Sequence, residues 1–420
     1  MTSNLKPITA VVAGAGGRGM TYATFAQEHP DRLKIVGVAE PRPYNRQYMA
    51  DTYSIPSNRV ISDWQELARQ PRMADVAIIA TQDAMHLGPA LAFAALGYDI
   101  LLEKPMAPNE ADCQRIVQAV KEAKVMFAVC HVMRYTHYTQ VLKQVVDSGA
   151  IGEVVSMQHL EPVGYWHQAH SFVRGNWRNE KESSFMLLSK SCHDLDWMRY
   201  IMGVPCESLS SFGTLKHFKR SEKPAAAGKA LRCVDCAYEP QCPYSAKKIY
   251  LGQLARGDKG WPVNVLIPKP TVETVTAALK NGPYGRCVYE CDNDVVDNQV
   301  VSMQFAGGKT AVFTMTAFNQ AANRKTRIFG TRGELYGDGD NIQVFDFLTD
   351  QTRTISAEMD DDSAMGGHGG GDYGLMDRFV AAVAAKDPSK ILSGPDESLE
   401  THRMVFAAER ARCEHRVVDL

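Results

Sequence analysis

The chain lacks the features that mark several protein classes. Neither sign of charge is in excess: 46 Lys and Arg stand against 48 Asp and Glu, a formal net charge of -2. That balance gives no electrostatic reason to expect nucleic acid or an acidic membrane as a partner. No apolar run approaches the ~20 residues needed to cross a bilayer. Residues 1–7 hold no apolar signal core, so the expected location is the cytoplasm. Cysteine is sparse, at ten in 420 residues. That excludes a disulfide scaffold and leaves free thiols or metal ligands. What is present is a chain with 45% hydrophobic residues, spread over many short apolar runs. Its length suits two or three domains.

The first third alternates strand and helix without hairpins. Strands are expected at 8–13, 33–39, 75–80, 98–102 and 125–129, with helical stretches between them. This pattern is an α/β, doubly wound parallel sheet of Rossmann type. The first strand runs into Gly14-Ala15-Gly16-Gly17-Arg18-Gly19, which fits G-x-G-x-x-G, and a helix-like stretch follows. A bare match is weak, but one between a strand and a helix has a mechanism. Gly14 permits the tight turn, Gly16 lets backbone approach a pyrophosphate, and Gly19 lets the helix pack on the strand. Free N–H groups of the helix N-terminus then face the anion. The second strand ends in Glu40. An acidic side chain there accepts ribose hydroxyls and repels the extra phosphate of NADP, so NAD is the expected cofactor. Arg42, two residues on, is available to adenine or to that phosphate. A further apolar run ends in Glu103-Lys104-Pro105 on the rim where such sheets bind ligands. Taken alone, Glu103 and Lys104 would be an ordinary surface pair.

These motifs resemble the glucose–fructose oxidoreductase / inositol dehydrogenase / MocA family. The resemblance rests on the glycine turn, on Ala80-Thr81 with His86, on Glu103-Lys104-Pro105 and on His131-Val132-Met133-Arg134-Tyr135, and it covers essentially the whole chain. It implies a nicotinamide cofactor contacted by Gly14 to Gly19, Glu40, Arg42, Thr81, His86 and Glu103. It places Lys104 near both the nicotinamide and a reacting sugar hydroxyl. The implied domains are 1–135 for the cofactor and 136–420 for substrate binding and oligomerisation.

Beyond residue 148 the character changes. Residues 152–162 alternate as a half-buried strand. A loop then carries Tyr165, Trp166, His167, His170, Arg174, Trp177 and Arg178. Flat rings cover the apolar face of a sugar, while imidazole and guanidinium groups bond its hydroxyls or an anionic group. Tyr135 joins them as a candidate substrate residue. Residues 185–202 read as one helix bearing Lys190, His193, Asp194 and Asp196. His193 followed by Asp196 resembles the family's histidine-bearing helix, which makes Lys104 and His193 the candidate base and partner. Many relatives place an acid four residues before that histidine, whereas here the position is Ser189, with Lys190 beside it. That departure suggests a substrate bearing negative charge.

Residues 217–292 look like an insertion rich in Lys, Pro and Cys. Cys233, Cys236 and Cys242 have the spacing of a structural zinc or cluster site, with Cys287 or Cys291 as the fourth ligand. An iron–sulfur cluster is the less favoured occupant. From residue 295 onward several strands with Gly-Gly and Gly-Asp-Gly-Asp turns read as a mostly antiparallel open sheet. Its uncovered face suggests a homodimer or homotetramer. An acidic loop at 360–362 and the His368-Gly-Gly-Gly-Asp372 run precede the last two helices.

The expected activity is NAD-dependent hydride transfer at a sugar carbon, with C3 as the expected position. The alternative is a redox-neutral glycosidase with retained NAD, acting on an anionic glycoside such as a sulfoquinovoside. A non-enzymatic NAD sensor is disfavoured by Glu103-Lys104-Pro105 and His193.

Overall fold

The computed structural model describes residues 6–357, 365 and 368–420. The expected acidic loop at 360–362 lies outside the described residues.

The first six strands are β1 (Ile8–Ala13), β2 (Leu33–Ala39), β3 (Val60–Ile61), β4 (Val76–Ile79), β5 (Asp99–Leu102) and β6 (Phe127–Val129). They form one parallel sheet in the order β3-β2-β1-β4-β5-β6. The order reverses beside β1, where open α/β sheets bind ligands. Side chains alternate faces along a strand. Val11 and Ala13 of β1 therefore enter one buried cluster, and Ala10 and Val12 the other. Both faces are covered, as a parallel sheet requires.

The second sheet holds β7 (Val154–Pro162), β8 (Cys206–Thr214), β9 (Asn298–Phe305), β10 (Lys309–Thr316), β11 (Lys325–Gly330), β12 (Gly333–Gly337), β13 (Asn341–Asp346), β14 (Gln351–Ser356) and β15 (Val418–Asp419). Its order is β14-β13-β12-β11-β7-β10-β9-β8-β15. Only the β7–β10 pair is parallel. The expected Gly307-Gly308 turn joins β9 to β10 with positive φ at both glycines.

Two further parts lie outside the strands. The helix Gly371–Ala385 returns to the first sheet and buries Leu375, Met376 and Phe379 against β1 and its neighbours. Residues 217–292 add no strand to either sheet and pack a core of their own around Tyr244, Tyr250, Val275 and Leu279.

The expected helix at 185–202 is broken. It runs from Met186 to Ser189, and a new helix starts at Cys192 and ends at Met202. Ser191, with φ -110 and ψ 12, leaves helical geometry. The break has a chemical result: the Ser189 carbonyl accepts from Lys104 Nζ at 2.8 Å.

Candidate functional site

The site starts at the end of β1. Gly14 has φ +94, and a Cβ there would sit 2.4 Å from the Ala80 carbonyl oxygen. A Cβ on Gly19 would sit 2.0 Å from the Gly14 carbonyl oxygen, so helix and turn meet at backbone distance. The helix Gly17–Glu28 begins behind Gly16 with no side-chain cap. Nothing lies within 4 Å of where a Gly17 Cβ would be. This leaves a backbone cradle with uncapped N–H donors, the geometry that accepts a pyrophosphate. Thr81 Oγ1 is buried beside it with no partner among the described residues.

Glu40 lies at the end of β2, 2% exposed. It accepts from Ala15 N at 2.7 Å and from Arg42 Nε at 2.6 Å, with further bonds from Arg42 N and Nη2. Burial raises its carboxyl, but the Arg42 fork outweighs burial and holds it below the usual range. Arg42 thus faces Glu40, and its fork is already filled.

Glu103 is a clamp in this arrangement. Its carboxylate accepts from Arg18 Nε at 2.6 Å, Tyr22 Oη at 2.7 Å and Lys104 N at 2.6 Å. Arg18 also grips Asp372 on the returning helix. The Arg18 and Glu103 side chains thus form a packed tie between β5, the glycine-turn helix and residue 372, which leaves backbone groups as their route to a cofactor. The His86 side chain is engaged in the same way. It is 1% exposed, and its ring spans the Pro105 carbonyl at 2.8 Å and the Thr81 carbonyl at 3.2 Å. It fixes the two rim segments to each other.

Lys104 and His193 come together. Lys104 Nζ is held by Ser189 O, four residues before His193, and the Lys104 charge reaches the His193 ring. His193 is 6% exposed, and its Nδ1 has no partner among the described residues. Burial first, and then the Lys104 charge, push its pKa well below the ordinary value, so the ring is neutral. A neutral, unsatisfied imidazole beside an ammonium group suits proton transfer at a hydroxyl. Asp196 does not serve His193. It takes a two-pronged bond from Arg134, 2.7 Å on each arm, and a third from Thr401.

Several site residues carried no readable signal in the chain order. Glu161, on β7, pairs with Lys190 at 3.1 Å and Arg324 at 2.9 Å. Arg324 also pairs with Asp194, whose other neighbour is His159. The acid missing at Ser189 thus arrives from another strand, and Lys190 is already neutralised. His368 stands 6.3 Å from His193, ring centre to ring centre, and its Nδ1 meets Asp372 at 3.1 Å. Asp83 has a buried, unpartnered Oδ2, and burial raises its carboxyl despite nearby His86 and Lys104. The only readable hint of these groups was the glycine run around His368.

The aromatic loop is mostly turned away. Only His167 stays near the charged cluster: its pKa is lowered well below the ordinary value, by burial first and then by the charge of Lys190. His170 is buried, bonded to Tyr250 at 2.8 Å and stacked on Tyr284. Arg174 is 1% exposed and bonds the carbonyls of Arg286 and Tyr244. Arg178 pairs with Asp292 and Glu182 at the surface. Trp177 is 40% exposed, with its ring against Phe172. Tyr135 locks residues 392–393 through its hydroxyl. These placements correct the substrate role expected for Tyr135, His170, Arg174 and Arg178. For His170 and Arg174 the cause is a π-type turn over Ala169–Arg174, which faces the insertion core. The zinc expectation is also corrected. Among the described residues no three His, Cys, Asp or Glu side chains stand close enough together to share one metal ion.

The two domains have counterparts among known proteins. Residues 8–131 match the model of an oxidoreductase family with an NAD-binding Rossmann fold, and residues 143–420 match its C-terminal alpha/beta domain. The chain belongs to the Gfo/Idh/MocA oxidoreductase family. It is an NAD-dependent enzyme of that type. The Bacillus subtilis oxidoreductase YteT is 22% identical over 347 residues, covering 77% of this chain and 76% of that one. The Escherichia coli 2,7-anhydro-N-acetylneuraminate hydratase is 29% identical over 202 residues, 48% of this chain and 51% of that one, so this alignment spans about half of the relative. The structure of levoglucosan dehydrogenase with NADH and levoglucosan superposes with a TM-score of 0.70 at 18% identity, covering 99% of both chains. At that identity the last likeness speaks for the fold alone. In this family frame, the residues that fit NAD are the 14–19 backbone, Glu40 and the rim at Thr81. No helix among the described residues is long and apolar enough to cross a membrane.

Proposed function

We propose that the protein oxidises or reduces a carbinol carbon of a sugar, C3 being the expected position. The observation that carries this reading is the neutral His193 beside Lys104, on the rim next to the glycine cradle. When bound, NAD supplies the hydride acceptor and donor. In our reading the chain's own groups do the rest. Lys104 Nζ, steered by the Ser189 carbonyl, donates a hydrogen bond to the sugar oxygen. His193, neutral and with an unpartnered Nδ1 among the described residues, takes the hydroxyl proton on an imidazole nitrogen. His167 and the exposed Trp177 ring remain as candidate sugar contacts. The units 1–135 and 136–420 would divide cofactor from substrate. The exposed Val155, Phe212 and Val300 on the second sheet would be covered in a homodimer or homotetramer.

A second reading is favoured by one further observation, the His368–Asp372 pair facing His193. Oxidation alone needs one acid/base couple, and this site supplies two. A redox-neutral route would use the second couple for elimination or addition of water at a neighbouring carbon, with the hydride returned at the end. The hydratases among the relatives support this reading by their names. A sulfoquinovoside or other anionic glycoside is the less supported substrate within it, because Glu161 and Asp194 balance Lys190 and Arg324.

The test mixes purified protein with NAD and matched neutral and anionic sugars, anhydro-sugars and para-nitrophenyl glycosides. NADH accumulation at 340 nm supports the dehydrogenase. Product formation without net NADH supports the redox-neutral route. No turnover of any carbohydrate, with NAD bound, would remove the sugar reading.

A further inference from the structure

Behind the Lys104–His193 pair lies a histidine that the chemistry above leaves unused. His131 follows the end of β6 and is fully buried. Neither of its ring nitrogens has a hydrogen-bond partner among the described residues. Two bare nitrogens in one buried ring are costly, so such a group calls for an explanation. Its ring stands edge-on to the His193 ring, at 81° with 5.9 Å between centres. On another side, His131 Nε2 comes within 3.8 Å of Asp196 Oδ1. Burial, against the pull of Asp196, holds His131 at about 3, so the ring is neutral and keeps one lone pair free.

The third histidine of this cluster shows the contrast. His402 lies 5.4 Å from His131, ring centre to ring centre. Its Nδ1 is 2.7 Å from the Ser398 carbonyl, and its Nε2 accepts from Met106 N at 2.9 Å. Both of its nitrogens are filled, so it has nothing to offer His131. His193 has: its buried Nδ1 is unpartnered too. A neutral histidine that takes a proton on one nitrogen already carries a proton on the other, and the partner of that N–H fixes the tautomer. The near neighbours in the chain are committed elsewhere. The Ser189 carbonyl accepts from Lys104, and the Ser189 hydroxyl donates to Met186 O. Asp196 accepts from Arg134 and Thr401.

We propose that His131 is a positioning residue of this site: its Nδ1 accepts the Nδ1–H of His193, while its own Nε2–H points to Asp196. The Asp196–His131–His193 chain then presents His193 Nε2 to the sugar hydroxyl. The proposal rests on the sugar reading above. The present separations exceed hydrogen-bond length, as catalytic contacts often do until substrate tightens the site. In oxidation of the carbinol, the O–H bond breaks as the His193 Nε2–H bond forms, and the carbon's hydride passes to NAD. The protons on His193 Nδ1 and His131 Nε2 stay where they are. The charge gained by His193 is steadied by Asp196 through the neutral His131 ring.

The test compares His131→Phe and His131→Asn with wild type, on the first carbohydrate turned over in the panel of neutral and anionic sugars, anhydro-sugars and para-nitrophenyl glycosides. Phenylalanine fills the space and removes both nitrogens, so thermal stability should stay level or rise. Its kcat should fall by about 10²-fold, the cost of a misplaced catalytic group, with KM and NAD affinity near wild type. Asparagine can place an amide oxygen near the Nδ1 position, and it should recover about tenfold of that loss. Ser191→Ala removes the other buried unpartnered group in this turn and should leave kcat unchanged. If the phenylalanine variant fails to fold, His131→Leu carries the same comparison. Wild-type kcat without the ring nitrogens, or an asparagine variant no better than the phenylalanine one, would overturn the proposal and leave the sugar reading standing. Turnover of no carbohydrate by the wild type would remove both.

Discussion

The rim at the ends of β4 and β5 and the loop at 165–178 carry the same residue types with opposite outcomes. Both mix histidine, lysine or arginine with aromatic neighbours. At the rim, Lys104 leaves the end of a parallel strand to reach the Ser189 carbonyl, and the buried His193 keeps an Nδ1 with no partner among the described residues. In the loop, His170 and Arg174 are drawn inward, because the π-type turn faces a second core where Tyr250 and Tyr284 meet the His170 ring and the Arg286 and Tyr244 carbonyls accept from Arg174. Composition therefore marks where function is possible. Backbone direction decides whether the side chain reaches it.

The largest expected effect sharpens the rim side. Lys104→Ala should lower kcat by about 10²–10⁴-fold, the usual worth of an acid/base group, while NAD binding, followed by fluorescence titration, stays near wild type. Wild-type turnover would take Lys104 out of the chemistry.

Next is acid sensitivity, which both regions share. His131 and His170 are held at about 3 and His402 at about 4, in each case chiefly by burial. Their folded values lie below the unfolded value of ~6.5, so the unfolded chain binds more protons between the two. The stability they contribute is complete above about pH 6.5 and falls as pH drops toward 4, by up to ~1.4 kcal/mol per pH unit for each histidine. Urea melts at pH 8, 6.5 and 5 should show this. His170→Gln should flatten the loop's share without changing KM, whereas a large rise in KM would return His170 to the substrate.

Cofactor choice should change less. Glu40→Ala frees the Arg42 fork, and a charge-assisted bond to a 2′-phosphate is worth about 1.5–3 kcal/mol. The NAD to NADP affinity ratio should therefore move by about 10–100-fold toward NADP. An unchanged ratio would mean that Glu40 serves the fold alone.

The smallest effect tests the corrected charge reading. Lys190 is already paired with Glu161. Lys190→Met should change the ratio of kcat/KM for anionic and neutral sugars by less than about threefold, the scale of a weak, partly exposed pair. A tenfold shift against anionic sugars would restore Lys190 as a substrate contact.

Local chemistry made much of the fold readable. The alternating runs before residue 130, the glycine turn, the rim motif and the Gly-Gly hairpin each depend on neighbours in the chain, through periodicity and allowed φ. The break at Lys190–Ser191 was not readable, because helical spacing continues across it and the compensating bond comes from Lys104, 85 residues away. Asp83 and Glu161 were missed for a related reason: an acid in a short segment or an alternating strand has no signature until its partners are in place.

By itself the sequence determined the two sheets, the nucleotide cradle and the Lys104–His193 candidates, since each is written in turn residues, strand ends or a motif of fixed spacing. Tertiary structure alone decided where the charges go. Arg18 meets Asp372 across 354 residues, and Arg324 meets Asp194 across 130. Ion pairs and burial depend on distance in space and on lost solvent, and neither is encoded in the spacing of residues along one segment.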